Sequence, residues 1–322
     1  MKPTDTLVSV VIPTFNRRPL LAKVIRPLLE DPSTGEIVIV VDGGRDGSLE
    51  FLREWAQTEL RLRVFYQENA GQSVARRRGI EASRHDIIVV LDDDVEADPG
   101  LISAHAQWHV KNERLLVLGY MPTVLPSPRR PGQATTFLYA ADYESTCELY
   151  ENDVRSIFTH LWAGNMSMKR TNAVDLGSEA ERRIYAHEDL RFGLQSRDAG
   201  IEAVFDRSLS ARHWYSRSLR KFAADCRRSG GGLARLSREY PSLADQLNPL
   251  TSHSARENLI ARYLGSSFAR TFSAPLAMAV SFGAGRVHAW RLETIAVRVL
   301  RLIETAYEFR RGSDVLPVTT GK

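Results

Sequence analysis

Three carboxylates stand side by side in "VVLDDDVEADPG", residues 89–100. The apolar residues 89–91 are typical of the end of a buried strand, and Asp92, Asp93 and Asp94 follow where that strand must surface. Neighbouring carboxylates repel one another, whereas hard divalent cations take oxygen ligands together with the phosphates of a substrate. The triplet therefore favours a metal site, with a solvated acidic loop or a helix N-terminus as the alternative.

Three further places in the sequence could take part in chemistry. The stretch "HED" (187–189) follows a loop and opens a helix, where an acidic pair can also simply stabilise the helix N-terminus. The run "RRR" (76–78) offers guanidinium groups that suit phosphate oxygens, or it forms a solvated helix face. His213, in "ARHWY", is a lone histidine that is either structural or a metal ligand.

Alternating strands and helices must position these residues. Mostly apolar runs predict buried strands at 7–15, 35–42, 62–69 and 86–91, and helix-period patterns predict helices at 18–30, 48–58 and 73–84. This alternation favours an α/β fold with a parallel sheet between two layers of helices. Ligands then bind at the carboxyl ends of the strands, and each of the four predicted strands ends in residues that a ligand could use.

The charge of the chain is unevenly distributed. The whole chain has a net charge of +4, but residues 216–322 contain 17 Lys and Arg against 8 Asp and Glu. The pattern also turns helical from about residue 216, where we place a domain boundary to within about 10 residues. We therefore expect a catalytic domain at 1–215, with halves at about 1–100 and 101–215, and a helical region at 216–322.

Six motifs occur together in one order: "VSVVIPTFNR", "VIVVDGGRDGS", "ENAGQSVARRRGI", "IIVVLDDDVEADP", "WAGNMSMKR" and "AHEDLRFGLQSRDAG". In this order and spacing, residues 7–215 resemble the family 2 glycosyltransferases. The resemblance implies a GT-A fold, here with a basic helical C-terminal extension. It also implies a nucleotide-sugar donor, a Mn²⁺ or Mg²⁺ ion, and transfer to an acceptor hydroxyl with inversion at the anomeric carbon.

The resemblance also assigns a donor site. It places Pro13, Thr14 and Asn16 beside the base and ribose, Asp42 on the base, Gly71 at a close backbone approach, Arg76 at the nucleotide or diphosphate, Asp92 and Asp93 at the ribose or metal-bound water, and Asp94 and His213 on the metal. The family often has D-D-G-S where this chain has "VDGG" (41–44), and usually has Asn where this chain has Arg77. A UDP-sugar is favoured as the donor, while guanine and thymidine nucleotides stay open.

The same resemblance implies the base and the acceptor side. Asp189 is expected to take the proton of the acceptor hydroxyl, and Glu188 is either the substitute base or an acceptor-orienting group. Trp162, Gly164 and Asn165 are expected to line the acceptor side. The acceptor itself, whether a saccharide, a lipid-linked group, a small metabolite or a protein, is not indicated.

The C-terminal region has an apolar stripe at helix spacing, made of Leu292, Ile295, Val299, Leu302, Ala306 and Phe309, with arginines around it. Such a helix packs on the catalytic body or on a second subunit as a homodimer, or it touches anionic lipid. "MKPTDT" leads directly into a strand, so no secretory signal is predicted. We therefore expect a cytoplasmic protein, or one that is peripheral at the inner face of a membrane.

Other functions are less well supported. A non-catalytic nucleotide- or partner-binding relative of the same fold remains the alternative, although such a relative would be expected to lose one of Asp92, Asp93, Asp94 or Asp189. A dinucleotide-dependent oxidoreductase needs G-x-G-x-x-G after the first strand, and "PTFNRRPLL" has no glycine. No aromatic-plus-basic strand motif supports nucleic-acid binding.

Overall fold

The structure is a computed structural model that describes residues 6–177, 186–250 and 255–313. The first five residues, from which the absence of a secretory signal was expected, lie outside this part of the chain. The chain divides into two compact units. The first contains Met1–Val124, Asp142–Ile184 and Glu188–Tyr215, and the second contains Leu125–Ala141, Tyr185–His187 and Ser216–Lys322. The second unit therefore includes Leu125–Ala141, which the sequence analysis assigned to the catalytic part.

The first unit contains an eight-stranded sheet with the strand order β3-β2-β1-β4-β7-β6-β8-β5. Its strands are β1 (Val8–Thr14), β2 (Thr34–Asp42), β3 (Leu62–Gln67), β4 (Ile87–Leu91), β5 (Val95–Ala97), β6 (Leu115–Tyr120), β7 (Asn165–Lys169) and β8 (Glu202–His213). Strands β3, β2, β1 and β4 are parallel neighbours, whereas β7 is antiparallel to both β4 and β6. The carboxyl ends of β1, β2 and β4 therefore meet at one edge of the sheet.

Helices surround this sheet and form most of the described part of the second unit. They are α1 (Arg18–Glu30), α2 (Ser48–Trp55), α3 (Gln72–Ala82), α4 (Leu101–Trp108), α5 (Ala134–Asn152), α6 (Arg170–Gly177), α7 (Glu188–Asp198), α8 (Leu219–Glu239), α9 (Ala244–Leu247), α10 (Ala255–Leu264), α11 (Ala274–Arg286) and α12 (Trp290–Ser313). Short 3₁₀ helices occur at Val154–Thr159 and Pro241–Leu243, and a π-helical turn at Ala269–Ser273 precedes α11. The division between the two units falls inside α5.

The central strands form because both of their faces are buried. Every residue of β1 and β4 is buried, and alternate residues of β1 contribute to two hydrophobic clusters. Val10 and Ile12 belong to one cluster, while Val11 belongs to the other, as the two-residue period of a strand requires. Continuous apolar runs of this kind are typical of strands that are covered on both sides.

The predicted α/β fold is confirmed, and the four strands and three helices of the first hundred residues occur where the sequence predicted them. The sheet is more mixed than expected, since four of its seven strand pairings are parallel. The short strand β5 was not predicted. It forms because Val95 pairs with His213 of β8, a contact between residues far apart in the sequence.

In the second unit, α12 packs against both α8 and α11. The buried side chains Ala223, Ala277, Leu300 and Ile303 form one cluster between these helices. Helices α8 and α12 approach closely at Gly230, where an added Cβ would lie 2.2 Å from the carbonyl oxygen of Thr305. Among the described residues, no helix combines the length and the hydropathy that a bilayer span requires.

We predict that Gly79→Ala destabilises the fold. Gly79 lies in α3 where the helix crosses β1, and an added Cβ would lie 2.5 Å from Cγ1 of the fully buried Val11. Overpacking of this kind typically costs about 1–3 kcal/mol, so the apparent Tm should fall in a thermal-unfolding measurement. Gly231→Ala in α8 is the matched control, because an added Cβ there meets no atom within 4 Å. Equal Tm values for the two variants would contradict the close packing of α3 on β1.

Candidate active site

The carboxyl edge of the sheet brings together the loops that follow β1, β2 and β4. The backbone amide of Phe15, after β1, donates to Oδ2 of Asp93 over 3.1 Å. Asn16, also after β1, adopts a left-handed backbone conformation with φ 54°, and its Oδ1 accepts the amide of Arg45. Gly44 has a φ of +101°, which residues other than glycine rarely adopt, and an added Cβ there would also lie 2.7 Å from Oδ1 of Asn16.

Asp42 organises the loop between β3 and α3. Its side chain is buried at the end of β2, and its two oxygens accept the backbone amides of Ala70 and Gly71 over 2.8 and 2.9 Å. The side chain of Gln67 also donates to it. Because a carboxylate has about four acceptor positions, these bonds leave about one for a nucleotide base. The expected base contact of Asp42 stays a prediction, and so do those of Pro13, Thr14 and Asn16.

The three carboxylates of the triplet point to three different sets of partners. Asp92 accepts the side-chain amide of Gln72 over 2.8 Å. Asp93 accepts the amide of Phe15, and Asp94 lies beside the imidazole of His213, with Oδ1 and Nε2 3.2 Å apart. His213 reaches Asp94 because it pairs directly with Val95 across β5 and β8.

Burial makes the ionised triplet costly. Although 24% of the side-chain surface of Asp92 is exposed, burial, together with Asp94 and Asp189, raises its pKa to about 7, against the opposing effect of Arg76. Burial and Asp94 also raise the pKa of Asp93 to about 6, against the opposing effect of Arg17. At neutral pH the site therefore holds carboxylates that positive charge would stabilise.

Arg17 supplies part of that charge and was not singled out from the sequence. Its Nε lies 3.2 Å from Asp93 and its Nη2 lies 2.7 Å from Asp94, so one guanidinium bridges two carboxylates. The signal available in the sequence was its position directly after Thr14-Phe15-Asn16 at the end of a predicted strand. A neighbouring arginine gives the same local pattern, so only the fold distinguishes them.

Arg76 joins the triplet to the predicted base. Its side chain is buried, and its Nη1 donates to Oδ1 of Asp189 over 2.6 Å while its Nη2 lies 3.9 Å from Asp92. Burial alone would lower the pKa of Arg76, but Asp189, Asp92 and Glu188 raise it above its ordinary value. Its Nε and Nη2 find no hydrogen-bond acceptor among the residues that the structure describes.

Asp189 lies in the first turn of α7 with 30% of its side chain exposed. Its second oxygen accepts the backbone amide of Ala163 over 3.1 Å, so two donors orient the carboxylate. Glu188 precedes it in the same turn, and burial together with Asp189 raises the pKa of Glu188. The structure thus brings Asp189 and Glu188 next to Arg76, and the role of Asp189 as base stays a prediction.

The loop before β7 contacts both ends of this site. The carbonyl oxygen of Gly164 accepts the amide of Asp92, and an added Cβ at Gly164 would lie 2.7 Å from Oδ2 of Asp92. Trp162 is partly buried, with its ring 5.1 Å from that of Tyr143. Asn165 is fully buried and bonds to His105 and to the carbonyl of Leu209, so it holds the core together rather than facing an acceptor.

Asp94 and His213 could share a metal ion. Octahedral Mg²⁺ has ligands at about 2.0–2.1 Å, so adjacent ligands lie about 3 Å apart, close to the 3.2 Å between these two groups. Within residues 6–177, 186–250 and 255–313, no group of three or more His, Cys, Asp or Glu is placed to hold a metal by itself. The pair therefore fits a cation that completes its coordination with substrate phosphates and water.

Comparison with known proteins gives a family match for the sequence and a fold match for the structure. Residues 9–171 match the profile of the family described as "Glycosyl transferase family 2". Among solved structures, the mannosyltransferase PcManGT from Pyrobaculum calidifontis, in complex with GDP-Man and Mn²⁺, has a TM-score of 0.61 at 16% identity. The superposition covers 96% of this chain and 89% of that one, which confirms the predicted GT-A fold.

Curated relatives share shorter regions. The uncharacterized glycosyltransferase EpsJ of Bacillus subtilis is 39% identical over 27% of this chain and 26% of that protein. An undecaprenyl-phosphate 4-deoxy-4-formamido-L-arabinose transferase of Aeromonas hydrophila is 28% identical over 60% and 65%. A dodecaprenyl-phosphate galacturonate synthase of Rhizobium johnstonii is 31% identical over 35% of each. The chain thus spans between about a quarter and two thirds of these relatives.

We predict that Asp92→Asn raises the Tm of the metal-free protein at pH 8. The folded-state pKa of about 7 lies above the ordinary value of 3.8, so the stability contributed by the protonated form is lost as the pH rises through 7. The neutral amide avoids that loss, and its advantage should shrink as the pH falls below 6. Thermal unfolding in chelator at pH 8 and at a pH below 6 measures this difference, with the exposed Asp198→Asn as the control. An increase in Tm that is equal at the two pH values would contradict the raised pKa of Asp92.

Proposed function

This chain belongs to glycosyl transferase family 2, and on that premise we propose that it transfers a sugar from a nucleoside diphosphate to an acceptor hydroxyl. The observation that carries the proposal is the buried guanidinium of Arg76 between Asp92 and Asp189. This guanidinium connects two groups: a carboxylate cluster that could hold a cation together with the donor diphosphate, and a carboxylate that could act as a general base. A donor and an acceptor can therefore meet beside one positive group.

The nucleotide sugar would supply the hydrogen-bond acceptors that Arg76 lacks among the described residues. A buried donor group without an acceptor costs about 1–3 kcal/mol, and more when it is charged. Two nitrogen atoms of Arg76 are in that situation within the described chain, and phosphate oxygens match the planar fork of a guanidinium. We take a UDP-sugar as the donor, as the family resemblance favours, and GDP-mannose, named with the structural neighbour, as its competitor.

A divalent cation, Mn²⁺ or Mg²⁺, fits beside Asp94 and His213. When bound, it would neutralise charge that develops on the departing diphosphate. Arg17 already lies on Asp93 and Asp94, so the chain itself partly neutralises these carboxylates before any ligand arrives. Asp92 faces Gln72 and Arg76 instead, on the side of α3.

The reaction step follows from the position of Asp189. The acceptor oxygen forms a bond to the anomeric carbon while the bond from that carbon to the diphosphate oxygen breaks, and the electron pair leaves with the nucleoside diphosphate. Asp189 takes the hydroxyl proton, and the amide of Ala163 and Arg76 hold its carboxylate in place. A single direct displacement of this kind inverts the anomeric configuration.

A second acceptor class is favoured by two relatives, whose names contain a polyprenyl phosphate. A phosphate oxygen is already ionised near neutral pH, so it can attack without giving up a proton. With such an acceptor Asp189 would orient the ligands and need not act as a base. The same family, donor and metal site serve both acceptor classes, and they differ in their dependence on Asp189.

We predict that Asp189→Asn lowers transfer to a hydroxyl acceptor by about 100-fold or more, because general-base catalysis contributes at least that much. Binding of the nucleotide sugar, measured by calorimetry, should persist. Asp198→Asn makes the same chemical change on the exposed end of the same helix and should leave turnover unchanged. Wild-type turnover in Asp189→Asn with a hydroxyl acceptor would show that the base is another group. Unchanged turnover with a polyprenyl phosphate alone would identify the second acceptor class.

We also predict that a UDP-sugar raises the Tm only when Mn²⁺ or Mg²⁺ is present, and that a chelator removes both this shift and the activity. A ligand at 100 times its Kd stabilises the folded state by about 2.7 kcal/mol, which a thermal-shift screen resolves. Asp94→Asn should weaken Mn²⁺ binding, measured by the paramagnetic resonance of the free ion. Full activity in excess chelator would refute the metal site. A rise in Tm with GDP-mannose but not with a UDP-sugar would refute uracil as the base of the donor nucleotide.

A further inference from the structure

Large apolar side chains are concentrated on the outside of the second unit. Among the described residues, twelve of the twenty exposed large apolar side chains lie between residues 259 and 302. Five of them, Phe268, Phe272, Leu276, Phe282 and Val287, are each between 59% and 76% exposed. Single exposed apolar residues are ordinary, but a concentration of this kind marks a surface that binds something.

The segment from residue 268 to 286 has its small residues inside and its large ones outside. Ala269, Ala274, Ala277 and Ala284 are buried, and the first three belong to the cluster with Leu300 and Ile303 of α12. Phe268, Phe272 and Leu276 follow one another at intervals of four residues on the exposed side. A helix that packs only against its own protein in water normally has the reverse arrangement.

The predicted stripe on α12 is divided between two environments. Ala306 and Phe309 are buried, whereas Leu292, Ile295, Val299 and Leu302 are between 37% and 55% exposed. The helix packs against α8 and α11 with other residues, including Val297, Leu300 and Ile303. The first four residues of the stripe are therefore an apolar face that this chain leaves uncovered.

The charges around these faces indicate what covers them. Residues 259–313 contain eight arginines and three glutamates, at 293, 304 and 308. Glu293 is fully buried and paired with Arg129, and Glu304 is buried and paired with Arg227. Glu308, the third, keeps 20% of its side chain exposed and lies near two arginines. Arg286, Arg291 and Arg298 are exposed, so the outer surface is apolar and basic.

A second copy of the chain fits this surface poorly. A twofold contact sets the same patch against itself, so two surfaces with the same excess of arginine would meet without an exposed carboxylate of residues 259–302 to balance them. An anionic bilayer offers both an apolar interior and a negatively charged surface. Apolar side chains beside arginines are the composition of helices that lie in such an interface.

We propose that residues 259–302 form a docking surface for an anionic lipid membrane, which the helices touch from one side. The exposed phenylalanines and the exposed face of α12 enter the apolar region, while Arg286, Arg291 and Arg298 contact lipid phosphates. No described helix is long and apolar enough to cross the bilayer, so the contact is peripheral. Membrane binding in this form does not depend on sugar transfer.

The test is co-sedimentation of the full chain with vesicles of phosphatidylglycerol and phosphatidylcholine, compared with vesicles of phosphatidylcholine alone. The wild type should bind the anionic vesicles more tightly, and added salt should weaken that binding. The pair Phe268→Ser with Phe272→Ser should lose about tenfold or more in vesicle affinity, since each loses buried apolar area. Arg286→Gln with Arg298→Gln should lose a similar factor on anionic vesicles only.

Leu60→Ser is the matched control, because Leu60 is 89% exposed in the first unit and far from this segment in the sequence. It should bind vesicles as the wild type does, and thermal unfolding checks that every variant is folded. The proposal would be overturned if the wild type failed to bind anionic vesicles, or if the double variant Phe268→Ser with Phe272→Ser bound them equally well. If the wild type instead formed a solution dimer that this double variant dissociates, without vesicle binding, the surface would be assigned to a second copy. Asp189→Asn should bind vesicles normally, which keeps this result separate from the catalytic proposal.

Discussion

The three adjacent carboxylates of Asp92, Asp93 and Asp94, at the carboxyl end of β4, need positive charge nearby, and several elements of the first unit are arranged to supply it. Burial raises the pKa of Asp92 and Asp93, so an isolated ionised cluster would destabilise the fold. Arg17 arrives from the end of β1 and Arg76 from α3, and the imidazole of His213, from β8, lies beside Asp94 where the two could share a cation. Each comes from a different element, so the sheet order and the pairing of β5 with β8 are what make the site possible.

The sequence was a good guide wherever the determining interactions are local. Continuous apolar runs specify strands that are buried on both faces, and polar residues directly after them specify the functional edge. Asp92, Asp93 and Asp94 could therefore be assigned to that edge, and the parallel order of the first strands brings Arg76 and Asp94 to the same edge. The role expected for Asp189 came from the family resemblance, and its contact with Arg76 was not predicted.

Other features depend on contacts between distant segments, which leave no local signal. The bridging position of Arg17 requires β1 to lie beside β4, and the burial of Asn165 requires β6, β7 and β8 to assemble around it. The outer surface of α11 and α12 is a similar case. The apolar periodicity of residues 292–309 predicted one helix with an apolar stripe, but it could not show that small residues of the segment before it would take the inside positions.

The loop before β7 connects Asp92 to Asp189. One of its residues accepts a hydrogen bond from Asp92 and the next one back donates to Asp189. A shift of the Asp92 backbone is therefore transmitted to the Asp189 carboxylate through two hydrogen bonds and two consecutive residues. The two carboxylates are thus mechanically connected, and any energetic coupling between them acts equally in both directions.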